Sequence, residues 1–248
     1  ELCIQAPGMC IFMKFVSTVL LSMAVLTFLL LCGCIGTEGW NAQDWIDQGN
    51  RFAKDGLYTE AVDAYSHSIR LDPINPRVWT YRGIALQHLG RLQEAMNDFD
   101  EAIRLNPDES GAWQGKASSY VESGQYKLAI KAAERSLELA GPEDKKENSW
   151  LLLGFAYNRL EQYEKALQQF DKAIEIDPKR VDLWQHKAYT LTKLGRYMEV
   201  LKCYEVMTGI DKDNPELWNK KGEIHLALGQ INEANEAFAM AKNLIERN

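Results

Sequence analysis

Nine side chains in this sequence could serve as soft metal ligands or nucleophiles: Cys3, Cys10, Cys32, Cys34 and Cys203, with His67, His88, His186 and His225. A metal site needs several such groups converging from fixed spacings, and a nucleophile needs a base within hydrogen-bond reach. Neither pattern is present. The histidines are scattered, and there is no His-Glu-x-x-His, no paired Cys-x-x-Cys and no glycine-rich phosphate loop. Cys203, beside Tyr204, reads as a small packed thiol. No catalytic residue, metal, cofactor or small-molecule substrate is therefore expected. The remaining four cysteines all lie within residues 1–34, so no disulfide framework can staple the body of the chain.

Those N-terminal cysteines suggest a different chemistry, attachment to a membrane. Met13-Lys14 is followed by an apolar run from Phe15 to Leu31, broken only by Ser17, Thr18, Ser22 and Thr27. One cation before such a run and small residues after it make a secretory signal. Its end, Leu31-Cys32-Gly33-Cys34, resembles a lipobox, the prokaryotic lipoprotein signal. The resemblance implies a leader over residues 1–34 and lipidation of Cys34; Met13-Lys14 is the better start, so residues 1–12 are expected to be an untranslated artefact. Burying acyl CH₂ groups at roughly 0.8 kcal/mol each makes two or three chains a stable anchor. The alternative is an uncleaved transmembrane helix from Phe15 to Ile35. Either way Lys14 stays in the cytoplasm, so the body is expected on the extracytoplasmic face of a prokaryotic envelope. A linker over residues 35–41 then holds it within about 25 Å of the anchor. With 28 basic against 35 acidic residues and a net charge of −7, the chain has no electrostatic reason to bind nucleic acid.

The elements behind that segment are marked by tryptophan. Trp45, Trp79, Trp113, Trp150, Trp184 and Trp218 are spaced 34, 34, 37, 34 and 34 residues apart, which divides the chain into units 42–75, 76–109, 110–146, 147–180, 181–214 and 215–248. Each Trp is followed four residues later by Gly or Ala and, except in unit six, seven later by a large apolar residue, one face of a first helix. A Gly eleven residues after the Trp, missing only in unit four, predicts a left-handed cap and tight turn. A second helix repeats small-large-small, as in Ala95, Phe99 and Ala102, with Ala133 breaking the pattern in unit three. Six of seven prolines sit where units meet. Six Trp at one repeat position read as core residues. In unit six the outward positions of the second helix are Asn235 and Lys242 instead of apolar residues, the mark of a terminal repeat.

This pattern, clearest in Trp79, Gly83, Ala95, Phe99, Ala102 and Pro107, resembles the tetratricopeptide repeat over residues 42–248. The resemblance implies an all-α fold, a right-handed α-solenoid superhelix of six helix-turn-helix units whose first helices line a concave groove. The groove residues it implies include Ile46, Asn50, Thr80, Gln87, Gln114, Leu151, Phe155, Asn158, Arg159, Gln185, Tyr189 and Lys193. Asn and Gln there can pair with a peptide backbone, Leu151, Phe155 and Tyr189 offer an apolar anchor, and Arg159, Lys179, Arg180 and Lys193 form a basic centre. The Lys, Arg and Asn clamp of chaperone-binding relatives is not matched, since Ile46, Gly111 and Gly115 stand where cations are required. The expected partner is a protein or peptide. A structural role, with the array stacking on itself, is the alternative.

Overall fold

The computed structural model describes residues 39–142 and 144–247. The leader, Cys34 and most of the linker lie outside the described residues. Twelve helices and no strand make up the described part, in six antiparallel pairs. The pairs are α1 (Ala42–Lys54) with α2 (Tyr58–Leu71), α3 (Pro76–His88) with α4 (Leu92–Leu105), and α5 (Ser110–Glu122) with α6 (Tyr126–Leu139). They continue as α7 (Lys146–Arg159) with α8 (Tyr163–Ile176), α9 (Val181–Lys193) with α10 (Tyr197–Ile210), and α11 (Pro215–Ala227) with α12 (Ile231–Arg247). Successive pairs stack in an all-α solenoid.

The turn inside each pair is built as the glycine spacing predicts. Gly56, Gly90, Gly124, Gly195 and Gly229 take φ between 71° and 77°, and the amide beyond each reaches back to close the helix end, as Arg91 N–H does to Leu86 O at 2.9 Å. Unit four makes the same closure, Gln162 N–H to Tyr157 O at 2.9 Å, with Glu161 forced to φ 59°.

Within a unit, the small residue four after the Trp makes room for the large ring of the second helix. A Cβ on Gly83 would sit 2.6 Å from Phe99, and Gly115 of the next unit closes on the same ring from the other side. Phe99 is thus fully buried between two bare backbones. Unit three inverts the arrangement: Ala117 replaces the glycine and Ala133 the ring, both fully buried.

The tryptophans stand at the edge of the core and not fully inside it, which qualifies the expectation from their spacing: all six are half-buried, and Trp79, Trp113, Trp150 and Trp184 pack against the core clusters. Their indole N–H groups explain this. Trp79, Trp113, Trp184 and Trp218 donate to the carbonyl six residues earlier, of Pro73, Pro107, Pro178 and Lys212, at 2.9–3.0 Å. Each such Trp therefore pins its helix to the turn leaving the previous unit, and an outer cation covers the ring, Arg82 at 4.8 Å from Trp79 for example.

The first helices α3, α5, α7 and α9 also touch one another in succession, so they form the inner wall and the second helices the outer one. Asn235 and Lys242 are exposed on α12, while Val62, Ile69, Leu167 and Ile174 at the matching positions are buried by the following unit.

Candidate binding groove

Three inner-wall candidates have their amides engaged by the solenoid itself. Gln87 donates to Gly115 O at 3.0 Å and Ser119 Oγ at 2.8 Å, tying α3 to α5. Gln114 donates to Ser149 Oγ at 3.0 Å and Lys145 O at 3.2 Å, tying α5 to α7. Asn158 is 9% exposed and exchanges hydrogen bonds with Thr190 across α7 and α9, at 2.8 and 3.1 Å. Ile46 and Thr80 are likewise withdrawn from the groove, at 5% and 3% exposure. These amides hold register between units because a buried amide left unpaired costs about 1–3 kcal/mol. Asn50 is exposed on α1, its Oδ1 accepting from the Tyr65 hydroxyl at 2.9 Å.

The remaining candidates gather on α7 and α9. Leu151 is half-buried against Ala173, Ile174 and Leu183, and Phe155 is half-buried with its ring edge-on to His186 at 6.0 Å. Tyr189 is 53% exposed and Gln185 is also exposed. Arg159 donates from Nε to the Tyr126 hydroxyl at 2.9 Å and lies 5.4 Å from that ring's centre; Lys193 lies 5.4 Å from the Tyr189 ring. Among the described residues neither cation pairs with a carboxylate, whereas Arg180 is engaged by Asp182 and Asn148, and Lys187 by Asp171. The basic centre expected from the sequence is therefore divided: Arg159 and Lys193 end α7 and α9, while Lys179 and Arg180 stand at the opposite end, before α9.

A second feature of the inner wall was not apparent in the sequence. Tyr58, Tyr65, Tyr81 and His88, with Ala53, Ile84 and Ala85, line a cleft of about 230 Å³ between units one and two. Tyr58 and His88 stack at 4.1 Å and 6°, and Tyr65 and Tyr81 lie tilted at 41° and 5.9 Å. Three helices of two units contribute to it, so no single-helix periodicity could reveal it.

The groups weighed for chemistry are packed as follows. Burial pushes the Cys203 thiol up to about 11, away from the thiolate a nucleophile needs. Burial lowers the His186 pKa, its ring stacked on Phe170 at 5.8 Å. His67 stacks on Trp45 at 4.3 Å, and His225 bonds Gln230 Oε1 at 2.7 Å. Among the described residues no cluster of His, Cys, Asp or Glu could hold a metal ion, and no helix is long and apolar enough to cross a membrane. Arg82 of α3 makes a bidentate pair with Asp98 of α4, both contacts 2.7 Å, and donates to Ser66 Oγ at 3.1 Å. Asp98 is 4% exposed, and burial outweighs Arg82 in raising its pKa.

Comparison with known proteins is consistent with this geometry. Tetratricopeptide repeat profiles match residues 76–109, 108–179 and 170–202. No curated protein matches in sequence. The solved structure of YrrB, described as a tetratricopeptide repeat protein with an unusual peptide-binding site, is similar at TM-score 0.59 and 20% identity, over 74% of this chain and 93% of its own. MamA from Desulfovibrio magneticus RS-1 is similar at TM-score 0.58 and 26% identity, over 69% and 95%. PilW, described as a widely conserved type IV pilus biogenesis factor, is similar at TM-score 0.73 and 14% identity, over 84% and 94%.

Proposed function

Because the chain belongs to the tetratricopeptide repeat family, a family of protein-interaction scaffolds, we propose that it captures a peptide or protein segment in its concave groove without catalysing a reaction. The observation that carries this reading is the inner wall of α7 and α9. Tyr189 is more than half exposed there, Phe155 is partly open beside it, and Arg159 and Lys193 have no carboxylate among the described residues. An aromatic left in solvent next to unneutralised cations is the composition of a recognition surface. Lipidation of Cys34 would tether the array to the extracytoplasmic face of the membrane, with the short linker keeping the groove near the lipid surface. That placement suits help in assembling an envelope complex, and the likeness to a pilus biogenesis factor supports the role at the level of fold.

Replacing Phe155 and Tyr189 together with Ala should abolish partner capture from solubilised envelopes and leave the mass in solution unchanged. Capture that persists while the oligomeric state changes would favour a self-stacking structural role instead. For the tether, mass spectrometry of the membrane fraction should find an N-terminus at lipidated Cys34; an intact Met13 N-terminus would refute cleavage.

A further inference from the structure

The groove has two unlike ends. At units one and two the cleft of Tyr58, Tyr65, Tyr81 and His88 is lined by rings and aliphatic groups, with no Asp, Glu, Lys or Arg. The Tyr65 hydroxyl is already committed to Asn50. Half-buried Tyr58 and Tyr81 and exposed His88 line the cleft beside buried Tyr65, and a further aromatic ring packed against such rings gains about 0.5–1.5 kcal/mol beyond its burial.

At units four and five the demand is reversed. Arg159 and Lys193 occupy the same repeat position in adjacent units, nine residues after Trp150 and Trp184, and each is held against a tyrosine ring rather than a carboxylate. Residues 147–214 hold eleven acidic and ten basic residues, close to balance, whereas residues 42–109 hold twelve acidic and seven basic ones. Charge complementarity therefore places an occupant's carboxylates at the unit-four end and its neutral ring at the unit-one end.

Between the two ends, Gln87 and Gln114 point their amide nitrogens into the solenoid, and their oxygens have no partner within it. No buried side-chain oxygen or nitrogen among the described residues lacks a partner, so these two oxygens are open to solvent and can accept backbone N–H groups of an extended chain.

We propose that the groove takes an extended acidic segment, with an aromatic side chain in the Tyr58, Tyr65, Tyr81 and His88 cleft and carboxylates over Arg159 and Lys193. This rests on the groove reading given above and names its partner class. Neighbouring helices pack roughly 10 Å apart, so α3 and α7 are separated by about 20 Å, or about six residues of extended peptide.

The test is isothermal titration of the full chain in detergent micelles with synthetic Gly/Ser peptides. Each carries one Phe and, about six residues away, two Glu, in the two chain orders. One order should bind, and changing both Glu to Gln should weaken it by about tenfold, the sum of two partly exposed ion pairs. The Arg159→Glu, Lys193→Glu double variant should lose the acidic probe and gain the version with Lys for Glu. Ile84→Trp, which fills the cleft from an exposed position, should weaken the Phe probe and leave its Phe→Ala version unchanged. Circular dichroism establishes that each variant is folded.

Equal binding of the Glu and Gln probes, or indifference to the charge reversal, overturns the acidic partner. Binding by a neutral probe that is lost with Phe155→Ala, Tyr189→Ala would do so while leaving the groove reading intact. No probe bound, with partner capture insensitive to Phe155→Ala, Tyr189→Ala, overturns both.

Discussion

Glu161 holds the position that glycine fills in the other five turns, and its φ of 59° is the left-handed conformation those turns require. An L-residue with a Cβ pays roughly 1–2 kcal/mol there, part of which glycine gives back through its looser unfolded state. Glu161→Gly should therefore raise stability by about 0.5–1 kcal/mol and the melting temperature by a few degrees. Thermal unfolding followed by circular dichroism checks this, and a lower melting temperature would mean the Glu161 side chain contributes more than its backbone costs. The sequence shows that the glycine is missing from unit four. It does not show that the turn survives, because that depends on the Gln162 N–H to Tyr157 O bond forming despite the strain.

Pairs of elements trade residues at fixed repeat positions. Three residues after the Trp stand Arg82, Lys116, Lys187 and Lys221, and each reaches or faces helix two of the preceding unit: Ser66, Asp100, Asp171 and Glu205. In unit four the position is Leu153, and Gln169 stands where unit two has Asp98. Unit two thus holds the Arg82–Asp98 pair where unit four holds two buried uncharged residues, Leu153 and Gln169. Removing one partner strands the other: Asp98→Ala should cost about 3 kcal/mol. Copying unit four with Arg82→Leu, Asp98→Gln should come within about 1 kcal/mol of the parent. Denaturant titration of both variants separates the two outcomes, and a double variant as unstable as the single one would contradict the equivalence. The helices, their turns and their small-large-small faces were all legible from spacing. Which charges meet was not, since the pairs join residues of different helices, as Arg82 and Asp98 do, or of different units, as Lys116 and Asp100 do.

Across the whole array, the inner wall is fastened unevenly. Amide-to-hydroxyl ties at one repeat position join units two and three through Gln87 and Ser119, and units four and five through Asn158 and Thr190, while units three and four are joined at another position through Gln114 and Ser149. At the equivalent places in the other junctions the residues are Ala53 and Ala85, Val121 and Ala156, or Thr192 and Ile224. In a solenoid, stability is a sum of units and nearest-neighbour interfaces. Asn158→Ala should thus cost about 1–2 kcal/mol, felt mainly as faster amide hydrogen exchange in α9 to α12 than in α3 to α6. Equal acceleration along the chain would show that the array opens as one body. The sequence by itself determined the repeat, the fold class and the place of the turn inside each pair, because these follow from local periodicity, turn chemistry and the size of facing side chains. It also supplied the list of inner-wall residues. Only the tertiary structure decided which of them are free: it spent Asn158 and the amide nitrogens of Gln87 and Gln114 on the solenoid's own register, withdrew Ile46 and Thr80, left Tyr189, Arg159 and Lys193 in solvent, and assembled the Tyr58 cleft from three helices. The reason is physical. A side chain's availability depends on what the next unit places against it, and that distance is not written along the chain.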